Sequence, residues 1–260
     1  MRSRVRAALL AVVMAAAAIG CNGRGGVLSR QYEYEEDLTL SLDGSATLVV
    51  NASIPALAAL RGLPLDVSPR ARLDRLTTRV RELYESPYAD VVRVTQWTRL
   101  NRRFVGVRIR VKDIHALPKA SPFSWATFDL RPADGQHVFK ETIGAPPPKA
   151  PTLAEVGLTG NELAAFRLHL PSHIRYHNAK DIETGTGRSV QRGNILTWEQ
   201  RLADRVRGTP VEIDVRMDSE SILYRTLWLF GLAFVAALAV LAFLIWLTMR
   251  KGRDTAPAGS

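Results

Sequence analysis

The chain contains one cysteine, Cys21, so no intrachain disulfide can form. That excludes a disulfide-stapled secreted scaffold and any zinc site built on a cysteine cluster. It has no glycine-rich phosphate loop and no H-E-x-x-H motif. Lysine is scarce, 6 residues against 29 arginines. No motif names a reaction, so no catalytic residue, metal or cofactor is expected. What remains is a chain of 260 residues, 47% hydrophobic and 23% charged, with a formal net charge of +10. That composition is globular, neither disordered nor collagen-like.

Two apolar segments organise it. Arg2, Arg4 and Arg6 form a basic head, followed by an apolar stretch from Ala7 to Ile19. Thirteen residues are too few to span a bilayer as a helix and suit the apolar core of an export signal. The stretch ends in Ala18-Ile19-Gly20-Cys21. These residues resemble a bacterial lipobox, with Ala18 where leucine is usual. The resemblance implies cleavage after Gly20 and a lipid on the Cys21 thiol. An ordinary secretory signal and an uncleaved anchor are the alternatives. The expected divisions are a signal over residues 1–20 and a tether over 21–31.

The second segment, residues 226–249, reads TLWLFGLAFVAALAVLAFLIWLTM and carries no charge. At about 1.5 Å per residue it crosses a hydrocarbon core of about 30 Å. A buried core helix is the alternative, but the segment has no polar face. Trp228 and Trp246 lie near its ends, where indoles favour the interface, and Arg250, Lys251 and Arg253 follow directly. The positive-inside rule places residues 250–260 in the cytoplasm and residues 32–218 on the far side of the plasma or inner membrane. Head and tail together hold half of the positive excess. The external remainder gives no nucleic-acid footprint, and the compartment argues against one. The partners expected are the membrane itself, a lipid or glycolipid, or another membrane protein.

The external region reads as α+β, mostly antiparallel sheet with one amphipathic helix. Leu38, Leu40 and Leu42 alternate with polar residues, Asp43-Gly44 marks a hairpin, and Ala46 to Ala52 returns. Ser68-Pro69 opens a helix carrying Leu73, Leu76, Val80, Leu83 and Tyr84 at helical spacing. A second hairpin joins Asp90–Thr98 to Arg103–Lys112 around Asn101-Arg102, and a third joins Phe123–Leu130 to His137–Ile143 around Asp134-Gly135. Ala145-Pro146-Pro147-Pro148 is a stiff linker, expected to bridge two parts of one domain. Apolar alternation from Phe166 to Tyr176 predicts one further strand, and Ile195–Gln200 and Val211–Met217 predict two more.

Several residue groups invite functional readings. His169, His173 and His177 are four apart, which on a helix would suit zinc. Pro171 breaks such a helix, and on a strand they are separated by twice the ~7 Å between alternate residues, too far for one ion. Arg70, Arg72, Arg75, Arg79 and Arg81 line the predicted helix as headgroup-contact candidates, with Arg93, Arg108, Arg110 and Lys112 adding a basic sheet face. Solvated surface charge is the bland alternative. Glu33, Glu35, Glu36 and Asp37 read as an exposed edge strand. An apolar cavity lined by Leu48, Trp125 and Trp198 would mark a lipid-holding interior, whereas a filled core would turn attention to the surface.

The layout resembles the LppM-like group of bacterial envelope proteins. It shares the lipoprotein signal, the external α+β domain, the terminal helix, the Asp43-Gly44-Ser45 turn and the segment Arg192-Gly193-Asn194-Ile195-Leu196-Thr197-Trp198. The resemblance implies a domain that handles lipids or glycolipids and carries over no ligand residue. A structural or assembly subunit, and an envelope hydrolase with an unrecognised site, are the other readings.

Overall fold

The computed structural model describes residues 30–62, 73–146 and 150–254. Cys21, the rest of the signal and tether, Arg70, Arg72 and the Ser68-Pro69 helix start lie outside them. Tyr32 onward forms a compact unit distinct from Met1–Gln31.

Among the described residues, ten strands build two sheets. One is six-stranded, from β1 (Tyr32–Leu40), β2 (Ala46–Ser53), β3 (Ala89–Arg99), β4 (Arg102–Val111), β7 (Leu163–His169) and β9 (Ile195–Arg201), in the order β3-β4-β2-β1-β7-β9. The other is four-stranded, from β5 (Ala126–Ala133), β6 (Gln136–Ile143), β8 (Ile174–His177) and β10 (Val211–Asp218), in the order β5-β6-β10-β8. Strands before and after the proline segment share both sheets. Period-2 alternation sets the register: Leu38 faces Leu48 across β1–β2, and Leu48 faces Ile109 across β2–β4. All three are buried in one apolar core together with Phe139, Ile213 and Val215 of the smaller sheet. Pairing is antiparallel except between β1 and β7, where Leu38 lies beside Leu168 in a parallel register.

Two expectations change here. The strand predicted from Phe166 to Tyr176 is two strands. β7 stops at His169, and β8 starts at Ile174 in the other sheet. Alternation survives the corner because Phe166, Leu168, Leu170 and Ile174 all reach the same core. His169 and His177 therefore belong to different sheets.

The domain also holds more than one helix. Helix α1 (Ile54–Arg61) precedes the expected amphipathic helix, α2 (Leu73–Tyr84), and a short α3 (Leu202–Val206) follows β9. Helix α1 has full capping: the Ser53 side chain accepts from the Ala56 N–H at 3.2 Å, and Gly62 ends it at φ 63 with its N–H on the Ala58 carbonyl at 3.0 Å. Only Pro55 along its length is not buried, so it has no polar face to give periodicity.

The last element, α4 (Ile222–Asp254), leaves β10 after three residues. Its stretch Ile222–Leu247 is long and apolar enough to cross a membrane, and none of it is buried against the domain.

Candidate functional site

The topology gives the sandwich two distinct ends. At one end lie the β1–β2 hairpin at residues 41–45, the end of β4 at Val111, the β7–β8 corner and the end of β10. Helix α4 starts here: the Ile222 N–H donates to the Pro171 carbonyl at 3.0 Å and the Asp218 N–H to the His173 carbonyl at 2.9 Å. At the other end lie the start of β1, the β3–β4 turn at Leu100-Asn101 and the end of β6.

The α4 end carries an open groove of about 370 Å³. Thr39, Ser41, Ser45 and Thr47 supply hydroxyls along its floor and rim, and Arg110 and Lys112 supply cations. Alternation explains the set: Arg108, Arg110 and Lys112 are exposed while Ile109 and Val111 are buried between them. The β1–β2 turn is held by Asp43, which accepts from the Ser45 N–H at 2.9 Å and the Ser45 hydroxyl at 2.7 Å. Those bonds hold the exposed Asp43 carboxyl below its ordinary pKa, the Ser45 hydroxyl contributing most. Arg110 is matched by Asp90 at 3.1 Å, whereas Lys112 makes no ion pair among the described residues. Such a groove offers hydrogen bonds and positive charge to a polar, anionic group.

The headgroup candidates on α2 fall elsewhere. Arg75, Arg79 and Arg81 are exposed along a helix whose Leu76, Val80 and Tyr84 face the core. Arg81 is also engaged, donating to the Val91 carbonyl at 2.6 Å. On α4, Trp228 and Trp246 are exposed, and the Arg250 guanidinium lies 5.5 Å from the Trp246 ring centre. Lys251 and Arg253 belong to the same helix, with side chains outside the described set.

The acidic run in β1 is not an edge. β1 sits between β2 and β7, and its outward carboxylates are each matched by a base. Glu33 meets Arg102 at 2.8 Å, Glu35 meets Arg167, and Asp37 meets His169 at 2.9 Å. Nearby, the Tyr32 hydroxyl donates to Glu199, and burial together with that carboxylate pushes the phenol up to about 12. Asp37 Oδ1 and His169 Nε2 carry opposite charges only when the imidazole is protonated.

Glu36 points the other way, into the sandwich. It accepts from the Arg61 guanidinium at 2.6 Å and from the Tyr34 hydroxyl. Across a void of about 10 Å³ stands Glu141 of β6, buried and without a hydrogen bond among the described residues. Burial first, and the Glu36 charge second, hold the Glu141 carboxyl well above the usual carboxylate range. Phe128, Phe166, Leu38, Leu48, Leu117 and Ile213 line the void together with Arg167, and it has room for about one water. No cavity lined by Leu48, Trp125 and Trp198 together stands among the described residues: Leu48 and Trp198 are buried, the Trp198 indole N–H donates to Asn178 at 2.9 Å, and half-exposed Trp125 packs against the Arg61 guanidinium.

Fold and site together define a class: a two-sheet α+β sandwich carrying a polar groove at the end from which a helix of membrane-crossing length departs. No protein-family model matches the chain, and no curated protein matches it. Among solved structures, the NMR structure of the folded domain of LppM from Mycobacterium tuberculosis is similar over 77% of this chain and 98% of that domain. The identity is 10% and the TM-score 0.38, a weak resemblance of fold.

Proposed function

We propose that this chain is a non-enzymatic, membrane-anchored extracytoplasmic envelope protein whose domain engages lipid or glycolipid headgroups with its groove. One observation carries the reading. The groove of Thr39, Ser41, Ser45, Thr47, Arg110 and Lys112 shares the end of the sandwich from which α4 leaves. Three residues between β10 and α4 reach about 10 Å at most, so a helix that enters a bilayer holds this end against the headgroups. The void beside Glu141, of about 10 Å³, is far too small for an acyl chain, which favours the groove as the place of lipid contact.

Hydrogen exchange on the full chain in nanodiscs tests the proposal. Amides of residues 39–47 exchange more slowly when anionic lipid replaces part of the phosphatidylcholine, and Lys112→Glu abolishes the difference. Equal exchange in both lipids, for the unaltered chain, would end the headgroup reading.

A further inference from the structure

A second polar cluster lies at the opposite end of the sandwich and is independent of the groove. Arg61 closes α1 and Arg205 lies in α3, and they are 8% and 0% exposed. Both meet one indole: the Arg61 guanidinium carbon lies 3.8 Å from the Trp125 ring centre and that of Arg205 lies 5.3 Å away. Tyr34 packs edge-on against the same ring at 6.1 Å. Buried arginines stacked on a tryptophan gain from cation–π attraction, but a guanidinium brings five donors that all seek acceptors.

The acceptors run out. Arg61 has Glu36, the Tyr34 hydroxyl and the Pro122 carbonyl. Arg205 has only neutral partners: the Ile143 carbonyl at 3.3 Å, Gln200 at 3.1 Å and the Gly144 carbonyl. Among the described residues, the Arg61 Nε, the Arg205 Nε and the Trp125 Nε1 are buried donors with no acceptor. Charge runs short as well. Glu36 balances Arg61, no ion pair joins Glu141 to either arginine among the described residues, and Arg205 is left as a buried cation without a counterion. Burial lowers its pKa, with Glu36 and Tyr34 opposing. An unmatched interior charge and unmet interior donors are both costly. One small anion with acceptor oxygens removes both deficits.

We propose that Arg61, Arg205 and Trp125 form a binding site for a small oxyanion, a phosphoryl or carboxylate group, at the end of the domain remote from α4. The surface is one side chain away. Trp125, Gly62, Gly144 and Pro146 are half-exposed and Ala145 is exposed. The guanidinium fork of Arg205 suits two oxygens, which favours an oxyanion over a halide.

The test is thermal unfolding of the full chain in maltoside micelles, titrated with inorganic phosphate or acetate at constant ionic strength. The midpoint rises by several degrees and saturates in the millimolar range for at least one of the two, and chloride does not reproduce the rise. Arg205→Met, which replaces the cation with an apolar chain of similar length, removes the saturable rise and leaves only the general salt effect. Arg110→Ser with Lys112→Ser, which disables the groove, keeps it, so this site and the headgroup reading stand or fall separately. If Arg205→Met does not fold, equilibrium dialysis of the unaltered chain and the groove variant against labelled phosphate and labelled acetate decides. One equivalent of either bound to both proteins supports the site. No saturable rise, a rise that persists in Arg205→Met, or no bound equivalent of either anion overturns it.

Discussion

Replacing Glu141 should stabilise the domain, and the structure gives the size and the pH signature. Glu141 lies on β6 between Phe128 of β5 and Ile213 of β10, opposite Glu36, with no hydrogen bond among the described residues. A buried polar group left without a partner costs about 1–3 kcal/mol. Glu141→Leu removes that cost and sets apolar surface against Phe128, Ile213 and Leu117. The gain at pH 7 should be about 1–3 kcal/mol, or about 2–4 °C in the unfolding midpoint for each kcal/mol in a domain of this size. The pH dependence follows from the raised pKa. The unfolded chain releases the proton near the ordinary value of 4.5, whereas the folded chain keeps it to well above that. Folding therefore takes up a proton between those two values. Stability is highest below the ordinary carboxylate range and declines as pH rises toward the folded-state pKa, by at most about 1.4 kcal/mol per pH unit. Glu141→Gln should remove that decline while leaving the fold intact. Urea unfolding of the full chain and both variants between pH 5 and 8, followed by circular dichroism, measures it. A Gln variant with the parent's slope, or a Leu variant less stable than the parent at pH 7, would refute the reasoning.

Three further outcomes are expected. Arg61→Ala leaves Glu36 buried and unpaired beside Tyr34, and should cost about 3–5 kcal/mol, read in the same urea titration, whereas exposed Arg75→Ala should change it little. Gly106→Ala should destabilise, because an added Cβ meets the Thr95 hydroxyl at 2.8 Å, the Asn51 side chain at 2.9 Å and the Trp97 ring at 3.0 Å; an unchanged midpoint would contradict that packing. Leu100 holds a φ of 47 at the β3–β4 turn while largely exposed, so Leu100→Gly should relieve backbone strain and raise stability by about 1 kcal/mol.

The parts legible in the sequence were those with strong local periodicity. Arg103–Lys112 alternates cleanly because one face of β4 is solvated and the other buried, and Asp43-Gly44 marks its hairpin because Gly44 needs a φ of 83. Helix α1 was missed because it is buried nearly all round, although Ser53, Pro55 and Gly62 gave its boundaries. The corner at Leu170–His173 was missed because alternation ran on through it; Pro171 was the available signal. The groove was half legible. Arg110 and Lys112 stood out as an exposed basic face, but Thr39, Ser41, Ser45 and Thr47 join them only through the β2–β4 pairing. The buried charges were only partly legible. Glu36 shares the parity of Leu38 and Leu40, and Glu141 that of Phe139 and Ile143, so alternation pointed both inward although Glu36 was read as part of an exposed edge strand; nothing singled out Glu141, Arg61 or Arg205.

The central claim is that the groove end of the domain faces the bilayer. Single environment-sensitive labels at position 45 and at position 100, each on a Cys21→Ser background in nanodiscs containing headgroup-nitroxide lipid, test it directly. The account predicts strong quenching at 45 and little at 100, and quenching that is stronger at 100 than at 45 would contradict it.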